Sequence, residues 1–213
     1  MTSRTKKRPY RSLVRERQAD DTRRRIGEAA WQLLRSDGYA GMTIEAIAQR
    51  AEVSAQSIYA IFKSKTGILT ELLDRSTFGG DYDDTVRQAL TTSDPETRLR
   101  FAARIARQIH DASRTTFDLM RGAGVIAPEL AKLEQQRERL RYARQEQMIS
   151  SLRNARRLRP ELDQRTARDI LWMLTGRDVY RMLVLVRRWN SQKYQEWLAD
   201  TLVRSLLICG KHG

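Results

Sequence analysis

Short polar side chains, followed at once by two lysines, make one stretch of this chain suited to contacting nucleic acid. The stretch runs from residue 42 to residue 65 and reads MTIEAIAQRAEVSAQSIYAIFKSK. Ala55, Gln56 and Ser57 carry the groups that read base edges: an alanine methyl packs on a thymine methyl, a glutamine amide makes a bidentate contact to adenine, and a serine hydroxyl bonds several bases. Lys63 and Lys65 carry ammonium groups, which contact phosphates and position a protein without reading sequence.

Two short helices joined by a tight turn are predicted to hold these side chains. Thr43 and Ser54 are good N-caps, because a hydroxyl accepts from a backbone N–H that the helix leaves unpaired. Apolar residues follow each cap at helical spacing: Ile44, Ile47, Ala48 and Ala51, then Ile58 and Phe62. The pattern is a helix-turn-helix at about residues 43–62, which lays its second helix in the major groove. The same spacing also occurs in three-helix cores that bind nothing.

The region from Ile26 to Leu73 closely resembles the tetracycline-repressor (TetR) family of bacterial transcriptional regulators. The matching residues are Ile26, Ala29, Ala30, Leu33, Leu34, Gly38, Tyr39, Thr43, Ile47, Ala48, Ala51, Val53, Ser54, Ile58, Tyr59, Phe62, Lys65 and Leu69. The resemblance implies backbone contacts from Thr43, Tyr59 and Lys65. The full set of predicted DNA contacts is Thr43, Ser54, Ala55, Gln56, Ser57, Tyr59, Lys63 and Lys65.

Two positions depart from the family pattern. Glu52 occupies a turn position where glycine is common, and a left-handed residue without glycine costs on the order of 1 kcal/mol. Its carboxylate also puts a negative charge near DNA. Ile61 stands where many members have histidine, so we expect no backbone contact from it.

The charge balance favours an anionic partner. The chain has a formal charge of +14 and a pI near 10.5, values that point to nucleic acid or an anionic surface. Residues 1–25 hold ten arginines and lysines against three acidic residues. Residues 1–14 are predicted to be a disordered basic arm, which either lies along DNA, in the manner of a homeodomain arm, or is a solvated tail.

The predicted fold is all-α, because no useful strand alternation appears and only four prolines interrupt the chain. Residues 15–78 are expected to form the three-helix helix-turn-helix DNA-binding domain, with its first helix from about Arg15 to Ser36. An acidic link at Asp81–Asp84 would separate it from a helical effector-binding and dimerisation domain, residues 85–213. In that domain we expect a helix from Asp94-Pro95, a separate short segment Thr115–Gly122, and a long helix from Pro128 to about Arg157.

Helices near the C-terminus are apolar on more than one face, which predicts a homodimer. The family resemblance implies a four-helix dimer interface there, and two recognition helices about 34–36 Å apart would read the half-sites of a palindromic operator in double-stranded DNA. The predicted interface residues are Val179, Met182, Leu183, Val186, Trp197, Leu198, Leu202 and Leu206. The alternative is that both faces are internal core.

The resemblance also implies a small-molecule effector that releases the protein, as a repressor, from its operator. Methionine and aromatic side chains line apolar pockets, although such side chains are more often ordinary core. The predicted pocket residues are His110, Phe117, Met120, Arg121, Tyr142, Met148, Trp172 and Met173.

Other functional classes find little support in the sequence. His110-Asp111 lacks the additional histidines of a metal phosphohydrolase, and the single Cys209 cannot build a zinc site. There is no phosphate-binding glycine loop and no nucleophile elbow, so we expect neither an enzyme nor a cofactor. We expect a bacterial cytoplasmic protein. The remaining rivals are an architectural DNA-binding protein without an effector, and a peripheral binder of anionic membranes.

Overall fold

The computed structural model describes residues 9–77, 80–124 and 128–208, and within these ranges the chain forms helices and no strand. The predicted all-α fold is thus confirmed. The chain divides into two compact units, each described separately below. Unit 1 comprises the chain up to Leu73 together with Thr116–Leu130, and unit 2 comprises Asp74–Thr115 and the chain from Ala131 onward.

Five helices occupy the first part of the chain: α1 (Pro9–Ser36), α2 (Gly38–Gly41), α3 (Ile44–Ala51), α4 (Ala55–Phe62) and α5 (Lys65–Thr77). Helix α1 begins at Pro9 rather than near Arg15, so residues 9–14 of the predicted arm are helical. Residues 1–8 lie outside the described part of the chain.

The two predicted caps of the helix-turn-helix are confirmed. The hydroxyl of Thr43 accepts from the backbone N–H of Ala46 at 3.1 Å, and the hydroxyl of Ser54 accepts from that of Ser57 at 3.1 Å. Each cap satisfies one N–H that its helix leaves unpaired. The starts of α3 and α4 are therefore set by local side-chain chemistry, as the sequence predicts.

The core of unit 1 is formed by the apolar faces of α1, α3, α4 and α5. Its most deeply buried side chains are Ile26, Leu34, Met42, Ile47, Ile58, Ile68, Leu69 and Leu73, each with no exposed surface. A fully buried aliphatic side chain contributes about 1.5–3 kcal/mol relative to an exposed one. These contacts dominate the stability of the unit and hold α3 and α4 at a fixed angle.

Glu52 ends α3 in the left-handed conformation, with φ 52° and ψ 50°. Its backbone N–H reaches the carbonyl oxygens of Ala48 and Gln49, and Val53 N–H bonds to Ala48 O at 3.0 Å. The turn therefore keeps the backbone geometry for which glycine is the usual residue, and the side chain of Glu52 is exposed.

The remaining helices are α6 (Gly80–Thr91), α7 (Pro95–Gly124), α8 (Pro128–Asn154), α9 (Gln164–Leu174), α10 (Arg177–Tyr180) and α11 (Ser191–Leu206), with a π-helical segment Arg181–Val186 after α10. Two predictions are wrong here. Asp81–Asp84 is not a link but lies in the first turns of α6, where acidic residues suit the helix dipole. Thr115–Gly122 is not separate but continues α7, because no proline or glycine stands between Pro95 and Gly122 to interrupt the helix.

Unit 2 has its own apolar core, and three residues predicted at the dimer interface lie inside it. Leu198, Leu202 and Leu206 have no exposed surface and pack with Leu171 and Tyr180. They are therefore corrected to core residues of the subunit, because α11 directs this face towards its own unit. None of the described helices combines the length and hydropathy needed to cross a bilayer.

A group of polar side chains is buried beside this core. His110 on α7 is 7% exposed, and its Nε2 lies 3.0 Å from the carbonyl oxygen of Thr175. Because a carbonyl only accepts, Nε2 carries the hydrogen and Nδ1 is an acceptor. The hydroxyl of Thr175 receives bonds from Arg141 at 3.0 Å and Gln145 at 2.9 Å.

The neighbouring carboxylate of Asp111 organises the same region. It accepts from the hydroxyl of Tyr180 at 2.6 Å, from Ser191 at 2.7 Å and from Arg107 at 2.9 Å. Burial, and then the bond to Asp111, raise the pKa of Tyr180 to about 12. The ring of Tyr180 also lies between those of His110 and Tyr194, with centroids 5.1 Å from each, tilted towards the first and edge-on to the second.

Glu52→Gly is expected to raise the free energy of unfolding by about 0.5–1 kcal/mol, because glycine adopts the left-handed conformation without strain. Chemical denaturation measures it. Glu52→Gln is the matched control, since it removes the charge but keeps the Cβ and should give no such gain. Equal stabilisation by both variants would attribute the effect to charge instead.

The stability of unit 2 should depend on pH through His110. Burial is the main cause that lowers the pKa of His110 to about 4, against an unfolded value near 6.5. Between these values the unfolded chain binds the proton and the folded chain does not, so stability falls as pH falls from about 6.5 to about 4, by about 3 kcal/mol.

The matched variant is His110→Gln, which keeps an N–H donor for Thr175 but does not titrate. Its unfolding free energy, measured across the same pH range, should fall less steeply than that of the unmodified protein. Parallel curves for the two proteins would show that His110 does not titrate in this way.

Candidate nucleic-acid interface

Helix α4 presents a polar face formed by the residues predicted to read bases. Gln56 is exposed, Ala55 and Ser57 are partly exposed, and Tyr59 has 50% of its surface exposed. The hydroxyls of Ser54 and Ser57 lie 2.8 Å apart, so Ser57 shares its hydrogen-bonding capacity with the cap. Among residues 55–57, Gln56 carries the longest side chain.

The opposite face of α4 is buried and fixes the rotation of the helix. Ile58 has no exposed surface and Phe62 is 6% exposed. The guanidinium of Arg23 on α1 lies 5.5 Å from the centre of the Phe62 ring, within the range of a cation–π contact. A helix held on this side can only present Gln56 and Tyr59 outward.

A close approach at Gly67 sets the start of α5. A Cβ at this position would lie 2.0 Å from the carbonyl oxygen of Phe62, the last residue of α4. Ser64 caps α5 by accepting from Gly67 N–H at 3.1 Å. Gly67 was not among the residues predicted from the sequence. What could have indicated it is a glycine two residues after Lys65, where the end of one predicted helix and the start of the next must come close together.

The two predicted phosphate contacts differ in their surroundings. Lys63 is exposed, and its Nζ donates to the carbonyl oxygen of Ala60 at 3.0 Å. Lys65 is partly buried: its Nζ donates to the carbonyl oxygen of Tyr39 and lies 3.7 Å from the centre of that ring. Burial lowers the pKa of Lys65, against an opposing effect of the Glu129 charge.

Tyr39 connects Lys65 to a residue that the sequence did not indicate. Its hydroxyl donates to Oε1 of Glu129 at 2.8 Å, in the first turn of α8. Burial, followed by the bond to Glu129, raises the pKa of Tyr39. No sequence pattern could pair these residues, which lie 90 positions apart.

The predicted effector residues whose side chains the structure describes differ in burial, and their grouping into one pocket stays a prediction. His110 lies in the buried polar group of unit 2, and Met148 packs against the core of that unit. Trp172 and Met173 are 36% and 53% exposed, because α9 turns Ala167, Leu171 and Leu174 inward instead. Both side chains are therefore open to solvent, and their part in a pocket stays a prediction.

Among the other predicted effector residues, the rings of Tyr142 and Trp172 meet edge to face, with their centroids 6.3 Å apart. The hydroxyl of Tyr142 donates to Asp169 at 2.7 Å. The side chains of Phe117, Met120 and Arg121 lie outside the described residues. A groove elsewhere in unit 2 is lined by Arg153, Leu158, Arg159, Leu162, Asp163 and Gln164. It contains none of the predicted pocket residues.

Of the remaining predicted interface residues, Met182 and Val186 are 48% and 60% exposed. Val179, Leu183 and Trp197 are partly buried against the core of unit 2. Across the described ranges, no group of three or more histidine, cysteine, aspartate or glutamate side chains is placed to hold a metal ion.

Residues 26–72 match the family model for bacterial regulatory proteins of the tetR family. No curated protein matches the sequence significantly.

Solved structures share the fold over most of the chain. NalD, the secondary repressor of the MexAB-OprM multidrug efflux pump in Pseudomonas aeruginosa, has a TM-score of 0.67 at 18% identity, with 90% of this chain and 100% of that chain covered. A putative transcriptional regulator from Saccharomonospora viridis, solved in complex with choline, has a TM-score of 0.63 at 22% identity, with 89% of this chain and 99% of that chain covered. The fatty acid degradation regulator FadR of Bacillus halodurans has a TM-score of 0.60 at 19% identity, with 85% of this chain and 94% of that chain covered.

These relatives are transcription regulators rather than enzymes. Residues 26–72, which contain the helix-turn-helix built by α3 and α4, thus match the tetR-family regulatory domain, and the chain shares the fold of TetR-family transcription regulators.

Proposed function

We propose that this protein is a homodimeric repressor that binds a palindromic operator and leaves it when a small-molecule effector binds. The proposal depends most on one observation: α4 has one buried face and one exposed polar face. Its buried side, Ile58 and Phe62, fixes the helix, and its open side presents Gln56 and Tyr59. Such a helix is ready to enter a major groove without rearrangement.

We assign base reading to Ala55, Gln56 and Ser57 and backbone contacts to Thr43, Tyr59, Lys63 and Lys65. A neutral polar face reads base edges, whereas the flanking lysines neutralise phosphates and give affinity on any sequence. The division separates specificity from general affinity, so it can be tested one residue at a time.

The dimer is proposed to form through the exposed apolar residues that follow α10. Met182 and Val186 are four positions apart in the π-helical segment and open to solvent. Pairing two copies would place two α4 helices on successive half-sites about 34–36 Å apart. One eight-residue helix would otherwise contact too few bases for specific binding.

The effector is proposed to bind in the residue 85–213 domain, with His110 as its polar anchor. Several buried polar atoms of that domain have no hydrogen-bond partner within the described part of the chain, among them His110 Nδ1, Gln145 Oε1 and the Tyr194 hydroxyl. A buried polar atom without a partner costs about 1–3 kcal/mol, so a ligand that supplies hydrogen-bond donors would be stabilised there. The choline complex of the Saccharomonospora viridis regulator supports an effector role of this kind.

The remaining parts of the proposal concern the flanking segments and the location of the protein. The basic residues among positions 1–14, of which 9–14 belong to α1, are proposed to contact DNA. Residues 15–78 are proposed to hold most of the DNA-binding domain, and the protein is proposed to act in the bacterial cytoplasm. The rivals are a DNA-binding architectural protein without an effector and a peripheral binder of anionic membranes.

Gln56→Ala is expected to cost about 1–3 kcal/mol at one base position of the operator and to relax preference there. Lys65→Ala is expected to weaken binding to every sequence alike and to make the salt dependence shallower by about one unit of slope. Affinities of both variants for the operator and for single-base changes of it, measured across salt concentrations, distinguish the two roles.

Three results would count against this proposal. Equal, sequence-independent losses in both variants would contradict the assigned recognition face. If the unmodified protein bound all duplexes with the same affinity, and that affinity fell steeply as the salt concentration rose, the architectural protein would be favoured. Binding to anionic vesicles without any binding to DNA would favour the membrane rival.

Met182→Arg is expected to shift the protein from dimer towards monomer by at least tenfold in dissociation constant, because a buried unpaired guanidinium is strongly unfavourable in an interface, costing about 3–5 kcal/mol. Sedimentation equilibrium measures it. Leu90→Arg is the matched control, since Leu90 on α6 is 65% exposed and lies outside the proposed interface. Equal effects, or none from either variant, would contradict the interface.

A further inference from the structure

Two serine hydroxyls at the start of α4 form a hydrogen-bonded pair. The Oγ of Ser54 lies 2.8 Å from the Oγ of Ser57, and either oxygen can be the donor. The Oγ of Ser54 also accepts from the backbone N–H of Ser57 at 3.1 Å, which caps the helix. Because Ser57 is one of the residues proposed to read bases, the pair joins the cap of α4 to its open face.

The direction of the hydrogen bond within the pair decides what Ser57 offers to a base. Each hydroxyl has one hydrogen and two lone pairs. When Ser54 donates to Ser57, the hydrogen of Ser57 stays free and can be donated to a base. When Ser57 donates to Ser54, its hydrogen is used inside the pair and only lone pairs remain for a base. The cap is kept in both cases, because one lone pair of Ser54 Oγ always remains for the backbone N–H.

We propose that Ser54 and Ser57 act as one unit that turns either a donor or an acceptor towards the base, and that Ser54 thereby determines which bases Ser57 accepts. This role rests on the base reading proposed for Ser57 and adds Ser54 to it as a positioning residue. Neither direction loses the hydrogen bond within the pair, so neither is excluded. Ser57 then contributes affinity with little discrimination among bases, which leaves Gln56 as the main specificity-determining residue of α4.

Two other helix starts show how a cap that can only accept fixes the direction. Asp163 accepts from the backbone N–H of Thr166 at 2.7 Å before α9, and Asp94 accepts from that of Thr97 at 2.8 Å before α7. Bonds from the backbone N–H and the hydroxyl of Thr166 lower the pKa of Asp163, and bonds from the hydroxyl and the backbone N–H of Thr97 lower the pKa of Asp94. In both, the hydroxyl three residues after the cap donates to the carboxylate. An aspartate at the cap of α4 would therefore leave Ser57 with lone pairs only.

The alternative is that Ser54, whose side chain is exposed, donates to a DNA phosphate. Its hydrogen would then be unavailable to Ser57, so the bond in the pair would run from Ser57 to Ser54. Under this alternative the unmodified protein already prefers a base that carries a donor, and an aspartate at the cap changes nothing. The two-way pair predicts instead that the preference appears only when the cap loses its hydrogen.

The test is selection from a random-sequence DNA pool by the unmodified protein and by its Ser54→Asp variant. In the major groove cytosine and adenine carry an amino donor, whereas the hydrogen-bonding groups of guanine and thymine are acceptors only. At one position of each half-site, Ser54→Asp should favour cytosine and adenine over guanine and thymine by about three- to tenfold, the usual contribution of one hydrogen bond. The unmodified protein should show a preference of less than about twofold there.

Two further variants separate this effect from that of the added charge. Thr43→Asp makes the same change at the cap of α3, where Ala46 holds the corresponding position and has no hydroxyl; it should weaken binding through its charge and leave the selected bases unchanged. Ser54→Asp combined with Ser57→Ala should lose the new preference, because no hydroxyl remains to face the base. Chemical denaturation should show that Ser54→Asp is as stable as the unmodified protein, since aspartate caps a helix about as well as serine.

The two-way pair would be overturned if Ser54→Asp selected the same bases as the unmodified protein, if Thr43→Asp produced the same shift, or if the shift survived Ser57→Ala. Each of these results leaves the proposed recognition face intact as long as Gln56→Ala relaxes a base preference in the same selections. If the unmodified protein enriched no sequence at all, the proposed base reading would itself be contradicted, so the two failures can be told apart.

Discussion

The burial of Ile58 and Phe62 is the contact on which the function of this chain depends. Helix α4 has eight residues, and a helix of that length is not stable by itself in water. Its two inward side chains, packed against the other helices of unit 1, supply the stabilisation and fix its rotation. The same contacts turn Gln56 and Tyr59 outward, so packing inside the protein selects which side chains can reach DNA.

The surroundings of α4 extend this control to the phosphate contacts. Gly67 allows the start of α5 to approach the last carbonyl of α4, which places Lys65 next to the recognition helix. Tyr39 then holds the ammonium by its carbonyl and its ring. In the proposed function, base reading is thus assigned to an exposed helix face, and phosphate binding is assigned to a partly buried cation whose position other residues set.

Local chemistry made part of this structure predictable. The caps at Thr43 and Ser54 and the buried residues of α3 and α4 depend on near neighbours in sequence, so spacing was sufficient. The continuity of α7 and the helical state of Asp81–Asp84 were missed, because short polar or acidic stretches are weak signals of a boundary, which tertiary packing overrides. Apolar spacing in α11 could not distinguish a subunit core from a dimer face, and the contact of Tyr39 with Glu129 joins segments whose proximity only the fold determines.

Selection of DNA from a random pool by the purified protein tests the central claim most directly. If α4 of each subunit reads a half-site, the enriched sequences should form a palindrome whose half-sites are centred about 34–36 Å apart, or roughly 10 base pairs. The base preference that Gln56→Ala relaxes should lie within each half-site. A pool that shows no enriched sequence, although the protein retains DNA at low salt, would contradict the account.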